Sequence, residues 1–174
     1  MKLIKYISDN ILGLSKTDLE TDESWNTRIA VRTVMQDDGG KVALMYVKEY
    51  NIYKLPGGGI DDGETLKDAF DREILEETGS VAEISSEIGA SIEKRDTWKL
   101  FQISHCFLAK LKHIGEQKLT KEEVDTGFSL FWTKDIDEAI ELVSKNKSDR
   151  YDDIYIKSRD SEILKIAKGL TSTS

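Results

Sequence analysis

Four carboxylates, Asp71, Glu73, Glu76 and Glu77, crowd the second half of one helical segment of this sequence. Like charges this close repel each other unless a cation settles among them. Hard divalent cations such as Mg²⁺ take oxygen ligands and keep several waters, so metal chemistry is the first candidate. A glycine-rich turn, Leu55-Pro56-Gly57-Gly58-Gly59-Ile60-Asp61-Asp62-Gly63-Glu64, leads straight into the segment. Such a turn lets main chain approach the acidic groups closely.

The helix that must position these groups is bounded by its own residues. It begins at Glu64 or Thr65, with Thr65 as a candidate N-cap and Asp68 three residues on, and Gly79 stops it. With Glu73 at zero on a wheel of ~100° per residue, Leu66, Ala69, Phe70 and Glu77 all fall within about 60° of it. The stripe that faces the core therefore turns acidic partway along, where a plain surface helix would stay apolar. The competing reading is a solvated acidic face beside an ordinary turn. Other motifs fail: the glycines lack the Gly-Lys-Ser/Thr end of a P-loop and the spacing of a dinucleotide fingerprint, and Asp61 to Glu64 lacks the ligand pattern of an EF-hand loop.

The 174 residues suit a single domain, 1–174, long enough to bury a sizeable core. A net charge of −8 offers no basic stripe for nucleic acid, so nucleic acid is not an expected partner. A small polyanion bridged by cations remains compatible with that charge. Cys106 is the only cysteine and lies in an apolar run, which argues for a core thiol and against a disulfide or a multi-thiolate zinc site. No run approaches the ~20 apolar residues of a membrane span, and no cleavable leader opens the sequence, so the expectation is a cytoplasmic protein with no membrane partner.

Around the central segment, Leu3 to Ser8 reads as a short strand and Asp18 to Ser24 as a loop. Arg28 to Met35 and Lys41 to Val47 read as strands of a hairpin through the turn Asp37-Asp38-Gly39-Gly40. Tyr53 to Leu55 is a short strand. Val81 to Ile92 and Trp98 to Leu111 follow the helix, joined by the charged turn Glu93 to Asp96. A polar loop from Lys112 to Thr126 precedes a strand at Phe128 to Trp132. Ile136, Ala139, Ile140 and Val143 mark a helix, and a last helix spans roughly Asp160 to Lys168, stopped by Gly169. The order predicts a mixed α/β domain with helices packed on a sheet.

Gly58, Glu64, Arg72, Glu73, Ile74, Glu76, Glu77 and Gly79 stand in the register of a known signature. That signature is a glycine, five residues, Glu, seven residues, then Arg-Glu-apolar-any-Glu-Glu-any-Gly-apolar. The stretch resembles the Nudix hydrolases, departing only at Ser80, where the family has an aliphatic residue. The resemblance implies an α/β/α sandwich, a mixed β-sheet flanked by helices, with a core at about 26–145. It further implies Mg²⁺-dependent hydrolysis of a pyrophosphate bond in a nucleoside diphosphate linked to another moiety, with Mn²⁺ as an alternative ion. By the same resemblance Glu73 and Glu77 bind the cation, the Gly58 carbonyl adds an oxygen, and Glu76 is either a ligand or the group that orients or deprotonates water. Arg72 would hold a glutamate in position and Glu64 would support the metal's water shell.

Outside the signature the resemblance implies a further acid in the loop before the late strand. Glu122, Glu123 and Asp125 qualify and Glu123 is favoured; an exposed loop acid is the alternative for each. Arg28 and Arg32, on one face of a strand, resemble arginines that reach a substrate phosphate, with surface ion pairing as the alternative. Trp98 and Phe101 could stack on a base, but a core role is preferred. This chain lacks the downstream proline of the ADP-ribose type and the downstream tyrosine of the diadenosine-polyphosphate type. A nucleoside triphosphate, intact or oxidised, moves up by elimination. A catalytically silent nucleotide sensor is the other class, and a homodimer is compatible with either.

Overall fold

The computed structural model describes residues 1–14 and 24–171, so most of the expected Asp18 to Ser24 loop lies outside the described residues. The elements are β1 (Leu3–Ser8), α1 (Asp9–Leu12), β2 (Asn26–Gln36), β3 (Ala43–Val47), β4 (Ile52–Lys54) and α2 (Leu66–Thr78). They continue with β5 (Ser80–Arg95), β6 (Leu100–Ile114), α3 (Lys121–Asp125), β7 (Phe128–Trp132), α4 (Ile136–Ser144) and α5 (Tyr151–Thr171). One sheet has the order β1-β5-β6-β2 and the other β4-β3-β7. The first is mixed: β1 runs parallel to β5 and β2 parallel to β6, while β5 and β6 are antiparallel.

Alternation along β2 builds two cores. Val31 and Met35 pack with Ala69, Phe70 and Ile74 of α2. Val34, on the opposite face, joins Ala139 and Val143 of α4 and Ile163, Leu164 and Ala167 of α5. The result is the helix–sheet–helix sandwich expected. Cys106 is buried in the second core, and burial pushes its thiol up to about 12. None of the described helices is long and apolar enough to cross a membrane.

The hairpin is a correction. Its turn is as expected, with Asp37 Oδ1 accepting from the Gly39 and Lys41 N–H groups at 2.9 Å, and both strands form. They then part after a single bridge between Gln36 and Val42. One edge of β2 is taken by β6 along its full length, and the other by the glycine turn, through the Ala30–Gly59 bridge. β3 instead pairs with β4 and β7.

The last helix is a second correction, starting at Tyr151 and running through Gly169. Its first turns bury polar side chains, Asp153, Tyr155, Arg159 and Asp160, so an apolar period emerges only near Ile163. Arg159 pairs with Glu93 at 3.0 Å and Asp160 at 2.7 Å, and Asp160 accepts from the Leu55 N–H at 2.9 Å. The C-terminal helix thus holds the residue just before Pro56. Glu93 and Arg95 belong to β5 rather than to a turn, and both are buried. Trp98 is neither core nor free platform: it is about half exposed, packs edge-on against Tyr151 and donates to Asp152 at 3.1 Å.

Candidate active site on helix α2

Helix α2 starts with the capping box that Thr65 and Asp68 suggest and ends at Gly79, a left-handed cap with φ 65°. Its buried residues are Ala69, Phe70, Glu73, Ile74, Glu77 and Thr78. The acidic continuation of the core stripe is therefore real: Glu73 is 9% exposed and Glu77 only 2%. Asp71 faces out and pairs with Lys67.

The glycine turn lies along β2 like an extra strand. Val31 N–H donates to the Gly58 carbonyl at 2.9 Å, Thr33 N–H to Pro56 at 3.0 Å, and Ile60 N–H to Ile29 at 3.0 Å. The Gly58 carbonyl, expected among the metal ligands, is thus turned toward β2. By the alternation of an extended chain, the Gly57 and Gly59 carbonyls face the other way. Gly59 accepts from Arg72 Nη2 at 2.8 Å. Gly58 matters through its missing side chain: a Cβ there would fall 2.6 Å from Glu73 Cδ, so the carboxylate rests against bare backbone.

Arg72 organises the acids. Its Nε and Nη2 grip Glu64 bidentately at 2.7 and 2.9 Å, while Nη1 reaches Glu73 at 2.9 Å and Glu76 at 3.3 Å. This contact holds the Glu64 carboxyl down at about 2. Glu73 moves the opposite way: burial, and then the neighbouring Glu77 charge, raise its pKa against the pull of Arg72. Glu77 is held at both oxygens, by Lys54 Nζ at 2.9 Å and by the Gly57 N–H at 2.6 Å. Among the described residues no three acidic, histidine or cysteine side chains already converge as a metal cage. Arg72 and Lys54 stand among them instead.

The remaining expectations separate. Arg28 lies over the turn, since a Cβ on Gly59 would meet its Nε at 2.8 Å. Arg32 is buried, with Nη1 donating to Val31 O at 2.7 Å and Nε without a partner among the described residues. Burial lowers its pKa to about 10, and the charges it senses include Arg159, Asp160 and Glu93. It shares the Val34 face of β2, which packs on α4 and α5. Glu123 completes a second capping box, accepting from Thr120 N and Oγ1 at 2.8 and 2.9 Å, on a helix α3 that the polar loop concealed. Asp125 pairs with Lys121. Two features escaped the sequence. Lys54 precedes the glycines with no pattern to mark it, and residues 115–118 dock on the carbonyl end of α2, with Gly115 N–H donating to Gly79 and Lys118 N–H to Glu76 at 2.9 Å.

Comparison with known proteins gives the family. A family model described as NUDIX domain matches residues 26–150, and the chain belongs to the Nudix family. It is 32% identical over 117 residues to the RNA pyrophosphohydrolase of Campylobacter jejuni (strain 81-176), covering 62% of this chain and 70% of that protein. A Bacillus subtilis (strain 168) protein that bears the name of an 8-oxo-dGTP diphosphatase is 39% identical over 56 residues. That match covers 32% of this chain and spans only 38% of the relative's length. The crystal structure of a UDP-X diphosphatase superposes with a TM-score of 0.55 at 18% identity, covering 87% of this chain and 68% of that one. A NUDIX hydrolase from Nitrosomonas europaea superposes with 0.56 at 20%, covering 79% and 91%. At these identities the superpositions establish the fold.

Proposed function

We propose that the chain is a single-domain pyrophosphohydrolase that cleaves a nucleoside diphosphate linked to another moiety, with a nucleoside triphosphate, intact or oxidised, as the leading substrate. The observation that carries this reading is the acidic stripe itself: Glu73 and Glu77, one turn apart and buried, lie beside the bare backbone of Gly58 and under the fork of Arg72. Each carboxylate already meets one cationic side chain, Glu73 with Arg72 and Glu77 with Lys54, yet the Glu77 charge still raises the pKa of Glu73, a repulsion that a divalent cation would relieve.

The donor set fits a hard divalent ion. Glu73 and Glu77 would hold it, with Glu76 and Glu64 beside them. We assign the backbone oxygen to Gly57 rather than Gly58, because the Gly58 carbonyl already accepts from Val31. When bound, Mg²⁺ would neutralise charge on the pyrophosphate and lower the pKa of a water. The side chains do the rest. Arg72 fixes Glu64, Glu73 and Glu76 in one constellation. Arg28, which lies over Gly59, would meet a phosphate oxygen. Glu76, the least buried of the three signature helix glutamates, takes the proton of the attacking water as general base. Oxygen then bonds to phosphorus as the bridging P–O bond breaks. Glu123, engaged in its own cap, has at most a supporting role in this reading.

The second reading is a pyrophosphate carried on RNA, favoured by the longer of the sequence matches. A silent sensor would have little use for this full set of acids. The test is phosphate and pyrophosphate release over a panel of nucleoside triphosphates and 5′-triphosphorylated RNA, with and without Mg²⁺. Turnover of free nucleotides supports the first reading, turnover of RNA alone the second, and no turnover on either the sensor.

A further inference from the structure

A cavity of about 310 Å³ opens at the joint between the β3–β4 turn, helix α3 and the start of α5. That volume is at the small end of ligand pockets and suits one ring system rather than a whole nucleotide. Its walls have a definite chemistry. The Arg150 guanidinium stacks 3.3 Å over the Tyr50 ring, making a flat cationic platform. Phe128 lines another side, and Lys54 Nζ sits 4.6 Å over the Phe128 ring while bonding Glu77 at 2.9 Å. Lys54 therefore links Phe128 of the cavity wall to Glu77 of the proposed reaction centre.

The polar lining is rich in acceptors. Glu122 has no side-chain partner among the described residues. Glu123 uses one oxygen on the α3 cap and leaves the other open. Two carboxylates beside a stacking platform suit a flat ring that presents adjacent N–H donors. Guanine does so at N1–H and the 2-amino group, a pair that one carboxylate accepts bidentately. Adenine offers an acceptor at N1 and no 2-amino group.

We propose that this cavity is the nucleobase pocket, that it stacks the base on the Arg150–Tyr50 pair, and that Glu122 makes it select guanine. The assignment rests on the pyrophosphohydrolase reading for the placement of the phosphates, and deepens it by naming the base.

The test separates the two. Equilibrium binding of guanosine, inosine and adenosine 5′-monophosphates is measured calorimetrically on the full chain, next to Mg²⁺-dependent turnover of GTP and ATP. Wild type should bind the guanosine nucleotide about tenfold more tightly than the other two, a difference of one good hydrogen-bonded pair. Glu122→Gln, on an exposed turn, should bring guanosine down to the inosine level and leave adenosine unchanged. Arg150→Ala should weaken all three about tenfold, the worth of a stacking partner. Equal binding of the three bases, guanosine binding untouched by Glu122→Gln, or no measurable binding of any, overturns the pocket. Selective binding without turnover of GTP or ATP upholds the pocket and sinks the reading of a hydrolase of free nucleoside triphosphates, while turnover with base-blind binding does the reverse.

Discussion

Lys54 Nζ lies 2.9 Å from Glu77 Oε1, so one of the two buried acids of the site already has a counter-charge built into the chain. Lys54→Met removes it and leaves a carboxylate that is 2% exposed with only the Gly57 N–H as partner. In chelator the variant should lose about 1–3 kcal/mol of stability, the cost of an orphaned buried polar group. A cation that binds only the folded chain should return part of that loss. Thermal unfolding with and without saturating Mg²⁺ checks it. A deficit that Mg²⁺ leaves unchanged would put the ion somewhere other than Glu77.

Gly58→Ala tests how tightly the turn is fitted to the helix. The added carbon would sit 2.6 Å from Glu73 Cδ, so the carboxylate must move by the order of an ångström. Such a displacement typically lowers turnover by ~10²-fold. Circular dichroism should stay native while activity falls. Full activity in a folded variant would mean that Glu73 does not need its present place.

Arg72→Lys keeps the charge and loses the fork. A point charge cannot grip Glu64 bidentately and still reach Glu73, Glu76 and the Gly59 carbonyl. Turnover should drop ~10–100-fold, as it does when groups that orient a metal site are removed. Steady-state kinetics with matched Mg²⁺ titrations measures this.

In the buried ion network that holds Leu55, Glu93 sets an acid limit on the fold. Burial alone would raise its pKa, but Arg159 and Arg95 outweigh burial and hold it below the ordinary 4.5. A carboxylate shifted down in the folded state adds stability above its unfolded pKa and loses it as pH falls through the folded value. Glu93→Gln should therefore cost about 3–5 kcal/mol at neutral pH, the usual result of breaking a buried ion pair. The gap from wild type should close as pH drops below 4.5. Denaturant unfolding at pH 7 and pH 4 gives both numbers.

The centre of the site was legible in the residues because it rests on local helix geometry. Spacing alone puts Glu73 and Glu77 on the stripe of Ala69 and Phe70, and Thr65 and Gly79 mark the ends. Long-range pairing was not legible. The Asp37 turn predicts that two strands meet, yet the edges of β2 are taken by β6 and the glycine turn, which are distant in sequence or hidden in a loop. The start of α5 was missed because its buried face is ionic, and Lys54 because nothing around it repeats. Arg28 and Arg32 share a strand face in the sequence, but only packing shows that one lies over the turn and the other is sealed beneath α5.

The most direct measurement follows triphosphate hydrolysis in ¹⁸O-water with Mg²⁺, comparing wild type with Glu77→Gln. The expected result is Mg²⁺-dependent cleavage with one labelled oxygen entering a phosphate product, reduced ~10²-fold or more in the variant. Cleavage that proceeds equally well in Glu77→Gln, or without the metal, would contradict a reaction centred on the acidic stripe of α2.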